Sequence, residues 1–529
     1  MFEAITARPY KVLNICLHCL NTLLLYLLLT TFTRLTKSSH CRLLSLVSSG
    51  LFGCHPLHVE PVVSIVGRAD LLYSASFLLS SLLCLSWETS VAKCLTLSAI
   101  TLISMFCKEQ GILFLVFWFM LDLIKTLLLR KKVLRRKFLV LVLYILSNLI
   151  VLSFVRMWII NFKKPTFQKG DNPAAFHPNI LNRLLTFNYI YCWNFLLLLL
   201  PNWLCFDWSM GCMSILTIFD WRILILFAFF LISISLAVKI FYNFRKLYIE
   251  IFAVALGLVP FLLSTNIFVY VGFVIAERNL YLSVAGFSLL VCQGLIRLQQ
   301  RLPRLSNILL LLLFSSFLSK SFVRSSSWTT ELSLFKSGLT VCYRNSKIHY
   351  NVAKKLADQN RHDEAVTFYK ESIRIEPEYE HALNNLANLL KLEKQFEEAE
   401  NLLVKATVIN PKFSAAHMNL GIVRQARGKF KQAEEDYLRA LDLRRNYPDA
   451  EFNLGNLYLK TRKHDLAEKR FRIASKSKHE LAFANLIILL DELGRLQEAQ
   501  DIITEAIEAF PDNPDFYFQK ANSLGKQVS

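Results

Sequence analysis

The chain has 529 residues, a formal charge of +20, 54% hydrophobic residues and 41 phenylalanines, and its mean hydropathy is +0.38. This is too apolar for an ordinary soluble protein, and the length suggests several domains. Lys and Arg cluster in short loops between apolar runs, a pattern of membrane topology that excludes nucleic-acid binding as the reading of the charge. The twelve Cys show neither a disulfide framework nor a CxxC zinc pattern, so packing is the expected role for nearly all of them.

The start, MFEAITARPYKV, is not a signal peptide with a small-residue cleavage site, so the first apolar run, Val12–Phe32, is expected to be a retained helix. A membrane helix needs about 20 apolar residues. Candidate spans are 12–32, 43–65, 70–86, 94–107, 111–129, 138–160, 221–240, 248–271, 280–296 and 306–323. The basic loops Arg34–Arg42, Arg130–Lys137, Lys239–Lys246 and Arg297–Arg304 then share one face, the cytosolic one, provided that Leu184–Pro201 does not cross fully. That aromatic-rich segment (184–201) is expected to be re-entrant or interfacial. If it crosses instead, the loop at Arg245 and Lys246 breaks the charge rule. In the first topology GRAD (67–70), KEQG (108–111), the loop 161–220 and AERN (276–279) lie together on the non-cytosolic face, as does everything after the last span. Met1 lands there too, which leads to the expectation that upstream sequence precedes it.

The stretch Leu51–Leu72 carries His55, His58, Glu60, Arg68 and Asp70 within an apolar run. Charges at membrane depth cost roughly 2.5–3.5 kcal/mol each on insertion scales, and groups that expensive line cavities and handle polar substrates. Asp70, Glu60, Glu109 and Glu277 are candidate bases. Arg68, Lys108 and Arg278 are candidate phosphate ligands, the arginines in bidentate fashion. Bland readings stand beside these: Asp70 as a helix cap, and Lys108–Glu109 and Glu277–Arg278 as neighbours that snorkel or pair with each other. His55 and His58 are candidate substrate contacts. With Glu60 they form a two-His, one-carboxylate set that a divalent ion would suit, but Pro56 and Pro61 break the helix here, and freed backbone groups also need polar partners. No metal is expected. Asp171 and Asp207 are expected in turns or caps.

After Ser346 the character changes. Alanines at 365, 399, 433, 467 and 499 recur at spacings of 34, 34, 34 and 32 residues, within a tetratricopeptide pattern. The expected division is a polytopic membrane domain at 1–323, a linker with a partial repeat at 324–345, and five repeats plus a partial sixth at 346–529. Such a solenoid has a concave groove. Asn384, Asn388, Asn419, Asn453 and Asn456 fall on first helices, where they would bond an extended peptide; a rigid spacer or a contact between copies is the plainer alternative. The fold class is therefore all-α, a membrane bundle of about ten spans followed by an α-solenoid.

The motifs HPLHVEPVVSIVGRADLL, CKEQGI, the run from Asp171 to Gly211, PFLLSTNIFVYVGFVIAERNLYL and the repeats resemble, in order, the transmembrane and tetratricopeptide-repeat O-mannosyltransferase family. The resemblance implies a GT-C-type membrane fold in the endoplasmic reticulum with the repeats in the lumen. It implies transfer of mannose from dolichyl-phosphate mannose to Ser/Thr of secretory-pathway proteins such as cadherin-type domains, with the repeats docking the acceptor. No cofactor is implied beyond that donor substrate; the partners are the bilayer, the dolichol-linked donor and the acceptor proteins, with no nucleic acid. Enzymes of this fold commonly take a carboxylate from a first luminal loop that precedes the helix matching Val12–Phe32, and here only Glu3 precedes that helix. The alternative is therefore a catalytically inactive, truncated variant acting as a membrane-anchored repeat scaffold or co-chaperone. A small-solute transporter is a weaker third class, because no inverted repeat relates the halves of the bundle.

Overall fold

The computed structural model describes residues 2–88, 90–129, 135–163, 166–244 and 246–528, and every regular element among them is helical. Residues 130–134 of the basic loop at 130–137, and Arg245, lie outside the described residues. The chain divides into two compact units, Met1–Ile348 and His349–Ser529.

The first unit contains α1 (Phe2–Leu35), α2 (Cys41–Cys54), α3 (Val59–Val63), α4 (Arg68–Ser86), α5 (Val91–Cys107), α6 (Phe114–Leu128), α7 (Arg135–Ile159), α8 (Ile180–Leu199), α9 (Ile223–Tyr242), α10 (Tyr248–Leu258), α11 (Ser283–Gln299), α12 (Pro303–Ser327) and α13 (Glu331–Leu339). Among the described residues, six stretches are long and apolar enough to cross a membrane: Arg8–Leu35, Arg68–Ser86, Glu109–Leu128, Leu139–Ile159, Ile223–Tyr242 and Pro303–Ser327. Four apolar helical stretches are shorter: Cys41–Cys54, Val91–Cys107, Tyr248–Ser264 and Ser283–Gln299.

Two expected spans end early. The span expected at 43–65 stops as a helix at Cys54, because Pro56 lacks the N–H that a continuing helix needs and holds His55 extended. A 3₁₀ turn, Pro56–His58, and the short α3 follow. The span expected at 248–271 stops at Leu258 for the same reason: Pro260 converts the chain to a 3₁₀ segment, Val259–Ser264, and the backbone beyond is irregular. Residues 184–199 of the aromatic segment lie in α8, which the Asn179 side chain caps by accepting from the Leu181 and Asn182 amides.

Aromatic and aliphatic side chains from α1, α2, α4, α6, α10 and α11 form one core around Phe32, Phe52, Phe77, Phe117, Trp118 and Phe252. Phe32 and Phe252 stack with ring centroids 4.0 Å apart. Helices α10 and α11 touch through small residues: a Cβ at Gly286 would lie 2.2 Å from the Ala253 carbonyl oxygen and 2.5 Å from the Gly257 nitrogen. Such contacts drive helix association where lipid is as apolar as the core. The carboxyl end of α4 is closed by two ammonium groups. Lys93 Nζ donates to the Cys84 carbonyl at 2.7 Å and Lys125 Nζ to the Leu85 carbonyl at 2.7 Å, which satisfies orphan acceptors and suits the helix dipole.

One pair stands outside the packing expected of nearly all the cysteines. Cys212 and Cys342, 130 residues apart, form a disulfide. Residues 324–345 belong to the first unit, and Cys342 and Ile348 join its core.

The second unit pairs α14 (Ser346–Asp358) with α15 (His362–Ile375), α16 (Glu380–Leu392) with α17 (Phe396–Ile409), α18 (Ser414–Ala426) with α19 (Phe430–Leu443), α20 (Pro448–Lys460) with α21 (His464–Lys476), and α22 (Glu480–Glu492) with α23 (Leu496–Ala509); α24 (Pro514–Val528) follows. The five recurring alanines are all buried. Small first-helix residues admit aromatic partners: a Cβ at Gly421 would meet the Tyr437 ring at 2.7 Å, and one at Gly455 the Phe471 ring at 2.5 Å. A charge network ties neighbouring repeats together. Glu400 accepts from Arg424 at 3.1 Å, Arg427 at 2.6 Å and Lys429 at 2.9 Å.

Candidate functional site

The motifs singled out in the apolar half converge. Lys108, at the break between α5 and the following 3₁₀ turn, donates to the Asp70 carboxylate and to Asn279 Oδ1 at 2.6 Å. GRAD, KEQG and AERN thus meet at one ammonium group. Glu277 ties in the loop 161–220: its Oε1 accepts from the Cys205 amide and from Trp208 Nε1 at 3.3 Å. Its Oε2 lies 3.7 Å from the buried Arg324 guanidinium.

These contacts correct three of the bland readings. Asp70 does not cap α4; Gly67 holds that position, and the Asp70 carboxylate is spent on Lys108. Lys108 does not pair with Glu109, which reaches outward to Arg156 at 3.4 Å. Nor does Glu277 pair with Arg278. Adjacent residues in a tight turn project to different sides, so their partners come from elsewhere in the fold.

A cavity of about 150 Å³ opens beside this hub, lined by Glu60, Asp171, Asp207, Glu277, Arg278 and Lys347 among other residues of 205–209 and 272–278. Of the expected site residues, Glu60, Glu277 and Arg278 line it. Glu60 lies near the Arg278 backbone and the charges of Arg278 and Arg324. Burial pushes the Glu277 carboxyl up from the usual range, and the charge of Arg324 pulls part of the way back. Among the described residues, no side chain forms a hydrogen bond or ion pair with the half-buried Arg278 guanidinium. Asp207 and Asp171 have local turn roles, accepting from the Ser209 amide at 2.9 Å and the Gln168 amide at 3.2 Å.

The other expected residues are not among those lining the cavity. Asp70 and Lys108 are locked together in the hub, and Glu109 is exposed. Arg68 leans on α1, bonding Asn14 Oδ1 at 3.2 Å with its guanidinium 4.8 Å from the Tyr10 ring centroid. His55 spends both ring nitrogens on the backbone, at the Leu198 carbonyl and the Leu57 amide. His58 bonds the Tyr281 carbonyl at 3.2 Å and packs against His18, Phe52 and Tyr281. The two-His, one-carboxylate set does not assemble: among the described residues, no group of three His, Cys, Asp or Glu is placed to hold an ion.

Sequence reasoning missed Arg324 and Lys347. A charge at the end of the last apolar run was a signal for Arg324; Lys347 gave none.

In the second unit, Asn419 Nδ2 donates to Asn384 Oδ1 at 2.8 Å, and both residues are buried. Asn456 accepts from Asn485 at 2.7 Å, Asn388 accepts from Lys391 at 3.2 Å, and Asn453 donates to its own helix at the Asp449 carbonyl. Asn388, Asn453 and Asn456 are half-buried.

The architecture defines a polytopic helical membrane protein with an array of tetratricopeptide repeats. The family model "Protein O-mannosyl-transferase TMTC, DUF1736" matches residues 161–234, and tetratricopeptide-repeat models match 356–420, 423–461 and 452–514. Protein O-mannosyl-transferase TMTC4 of Mus musculus is 37% identical over 62% of this chain and 48% of its own length. The Homo sapiens TMTC4 protein is 37% identical over 68% and 54%, and protein O-mannosyl-transferase F38B6.6 of Caenorhabditis elegans 34% over 70% and 51%. The chain is similar to TMTC proteins over these stretches, and it spans about half the length of the curated relatives it matches. Among solved structures, that of YrrB, described as a TPR protein with an unusual peptide-binding site, covers 35% of this chain and 97% of its own at 21% identity, with a TM-score of 0.29.

Proposed function

We propose that the chain is the membrane and repeat portion of a protein O-mannosyltransferase that moves mannose from dolichyl-phosphate mannose to Ser or Thr of secretory-pathway proteins. The observation that carries this reading is the cavity that gathers Glu60, Glu277 and the Arg278 guanidinium, which no side chain among the described residues bonds. The acceptor Oγ attacks C1 of the mannose, the bond from C1 to the phosphate oxygen breaks, and dolichyl phosphate leaves with the electron pair. The hydroxyl proton passes to a carboxylate. Glu60 is the better placed of the two lining glutamates, because the carboxylate of Glu277 is already spent on Cys205 and Trp208. Arg278 meets the negative charge that grows on the leaving phosphate, where a fixed donor is worth most. No resident cofactor is needed.

The repeats present the acceptor, with Asn388, Asn453 and Asn456 available to an extended chain. The site and the repeats face the lumen of the endoplasmic reticulum. The Cys212–Cys342 disulfide supports this orientation, since such bonds persist in oxidising compartments.

The test is mannose transfer from dolichyl-phosphate mannose to a cadherin-type domain by the chain in lipid nanodiscs, for the wild type, Arg278→Met and Glu60→Gln. Loss of about 100-fold or more in each variant is expected, as removal of one transition-state donor or of a general base costs this much. Wild-type rates in both variants would remove the cavity from catalysis. A wild type without transfer would leave the repeat scaffold as the function.

A further inference from the structure

Glu60, Asp171, the stretches 205–209 and 272–278, and Lys347 line the cavity. Lys347 is stitched to the 205–209 stretch. Cys342 is bonded to Cys212. Asn345 Nδ2 donates to the Asp207 carbonyl at 3.0 Å, and the Ser346 amide to the Met210 carbonyl at 3.3 Å. Gly211, at φ +93°, lets the two backbones approach so closely that a Cβ there would lie 2.6 Å from the Arg344 carbonyl oxygen. The outcome of this stitching is that Lys347 Nζ stands 2.9 Å from Asp207 Oδ2 at the cavity wall.

We propose that Lys347 and Arg278 together form a phosphate subsite in this cavity, and that the Cys212–Cys342 bridge is the element that positions Lys347. This rests on the transferase reading for the identity of the donor, but not for the existence of the subsite. An ammonium has three donors and Asp207 engages it on one side, so an entering phosphate can share it without breaking the ion pair. The Lys347 side chain is 36% exposed and therefore reachable, whereas Lys108 is closed in by Asp70 and Asn279. The negative lining is already partly answered: Glu277 by Arg324, and Asp207 by Lys347. At about 150 Å³ the space is below the roughly 300 Å³ at which pockets for drug-sized ligands begin. It suits a phosphate headgroup, with any lipid chain left outside.

The experiment measures binding of polyprenyl phosphate, polyprenol and inorganic phosphate to the full chain in nanodiscs. Peptide mapping without reductant first tests the bridge; its absence overturns the positioning role. Lys347→Met is expected to weaken polyprenyl phosphate binding about tenfold or more, with polyprenol unchanged and Lys347→Arg restoring most of the loss. Cys212→Ser with Cys342→Ser is expected to weaken it similarly, and adding Lys347→Met to that pair to weaken it little further. Competition by inorganic phosphate at matching concentrations assigns the subsite to the bare anion; competition by the lipid alone assigns it to a lipid headgroup. Unchanged binding in Lys347→Met overturns the subsite, and unchanged binding without the bridge overturns the positioning role. A wild type that binds polyprenyl phosphate through Lys347 yet transfers no mannose would sink the transferase reading and leave the subsite standing.

Discussion

Replacing Lys108 with Met separates a structural hub from a free phosphate ligand. The Lys108 and Asp70 side chains are 14% and 5% exposed, so screening is weak and the loss of one partner strands a buried carboxylate. Breaking a buried pair in this way costs about 3–5 kcal/mol, while replacing both partners by neutral groups of similar size is often close to neutral. Asn279 loses its donor as well, at about 1–3 kcal/mol for an unsatisfied buried acceptor. At roughly 2 °C per kcal/mol for a unit of this size, the two losses together should lower the melting midpoint of Lys108→Met by about 8–16 °C. Asp70→Asn combined with Lys108→Met should recover more than half of that. The assay is thermal unfolding in nanodiscs, followed by intrinsic fluorescence, for the wild type, both single variants and the double. If Lys108→Met melts with the wild type, or the two changes are additive, the hub does not hold GRAD, KEQG and AERN together and Lys108 becomes a free cation again.

Three other outcomes are expected. Gly455→Val should drive a side chain into the Phe471 ring and destabilise the repeat unit by about 1–3 kcal/mol, seen as faster proteolysis within 448–476, whereas Gly294→Ala, with nothing within 4 Å, should leave cleavage unchanged. Burial works to raise the Glu400 carboxyl, but hydrogen bonds from Lys429, Arg424 and Arg427 outweigh it and hold it below its ordinary value. A depressed carboxyl contributes stability above its unfolded value and loses it as pH falls through the folded one, so Glu400→Gln should be destabilised at pH 7 and converge with the wild type in melts run down to about pH 3; a constant gap across that range would refute the account. His362→Thr completes an N-x-T sequon at the exposed turn residue Asn360, and a luminal repeat unit predicts an endoglycosidase-sensitive mobility shift in cells, matched by a second sequon engineered near Phe219. No shift at either position would put both segments in the cytosol.

The repeat unit was readable because its rule is local. Small residues at a fixed spacing are forced by helices that pack closely, and Ala365 through Ala499 announce that spacing directly. Within 43–65 and 248–271 the helices stop before the apolar runs do, for a physical reason: hydropathy counts side chains, whereas helix continuity depends on backbone donors that Pro56 and Pro260 lack. In the candidate site, the cost of a charge in an apolar run drew attention to Glu60, Glu277 and Arg278, which do line the cavity. The same cost flagged Asp70 and Lys108, and it could not reveal that they neutralise each other across 38 residues of chain. Partners are a property of the fold. Lys347 stands in a stretch of ordinary polarity, and Cys212 and Cys342 are too far apart for their spacing to suggest a bond.

The ends of α4 have a mechanical consequence. Asp70 sits in its first turn and is gripped by Lys108, while Lys93 and Lys125 grip its last carbonyls. Each charge lies at the pole of the helix that favours it. A shift of one turn, about 5.4 Å, would release all of these grips at once, so α4 behaves as a stator. Local rewinding falls instead to 3₁₀ turns, among them Pro56–His58, Val259–Ser264 and Glu277–Leu280, where tightening or relaxing a few hydrogen bonds turns the chain. Glu277 and Arg278 ride on one of these pivots, and Glu60 is two residues beyond another.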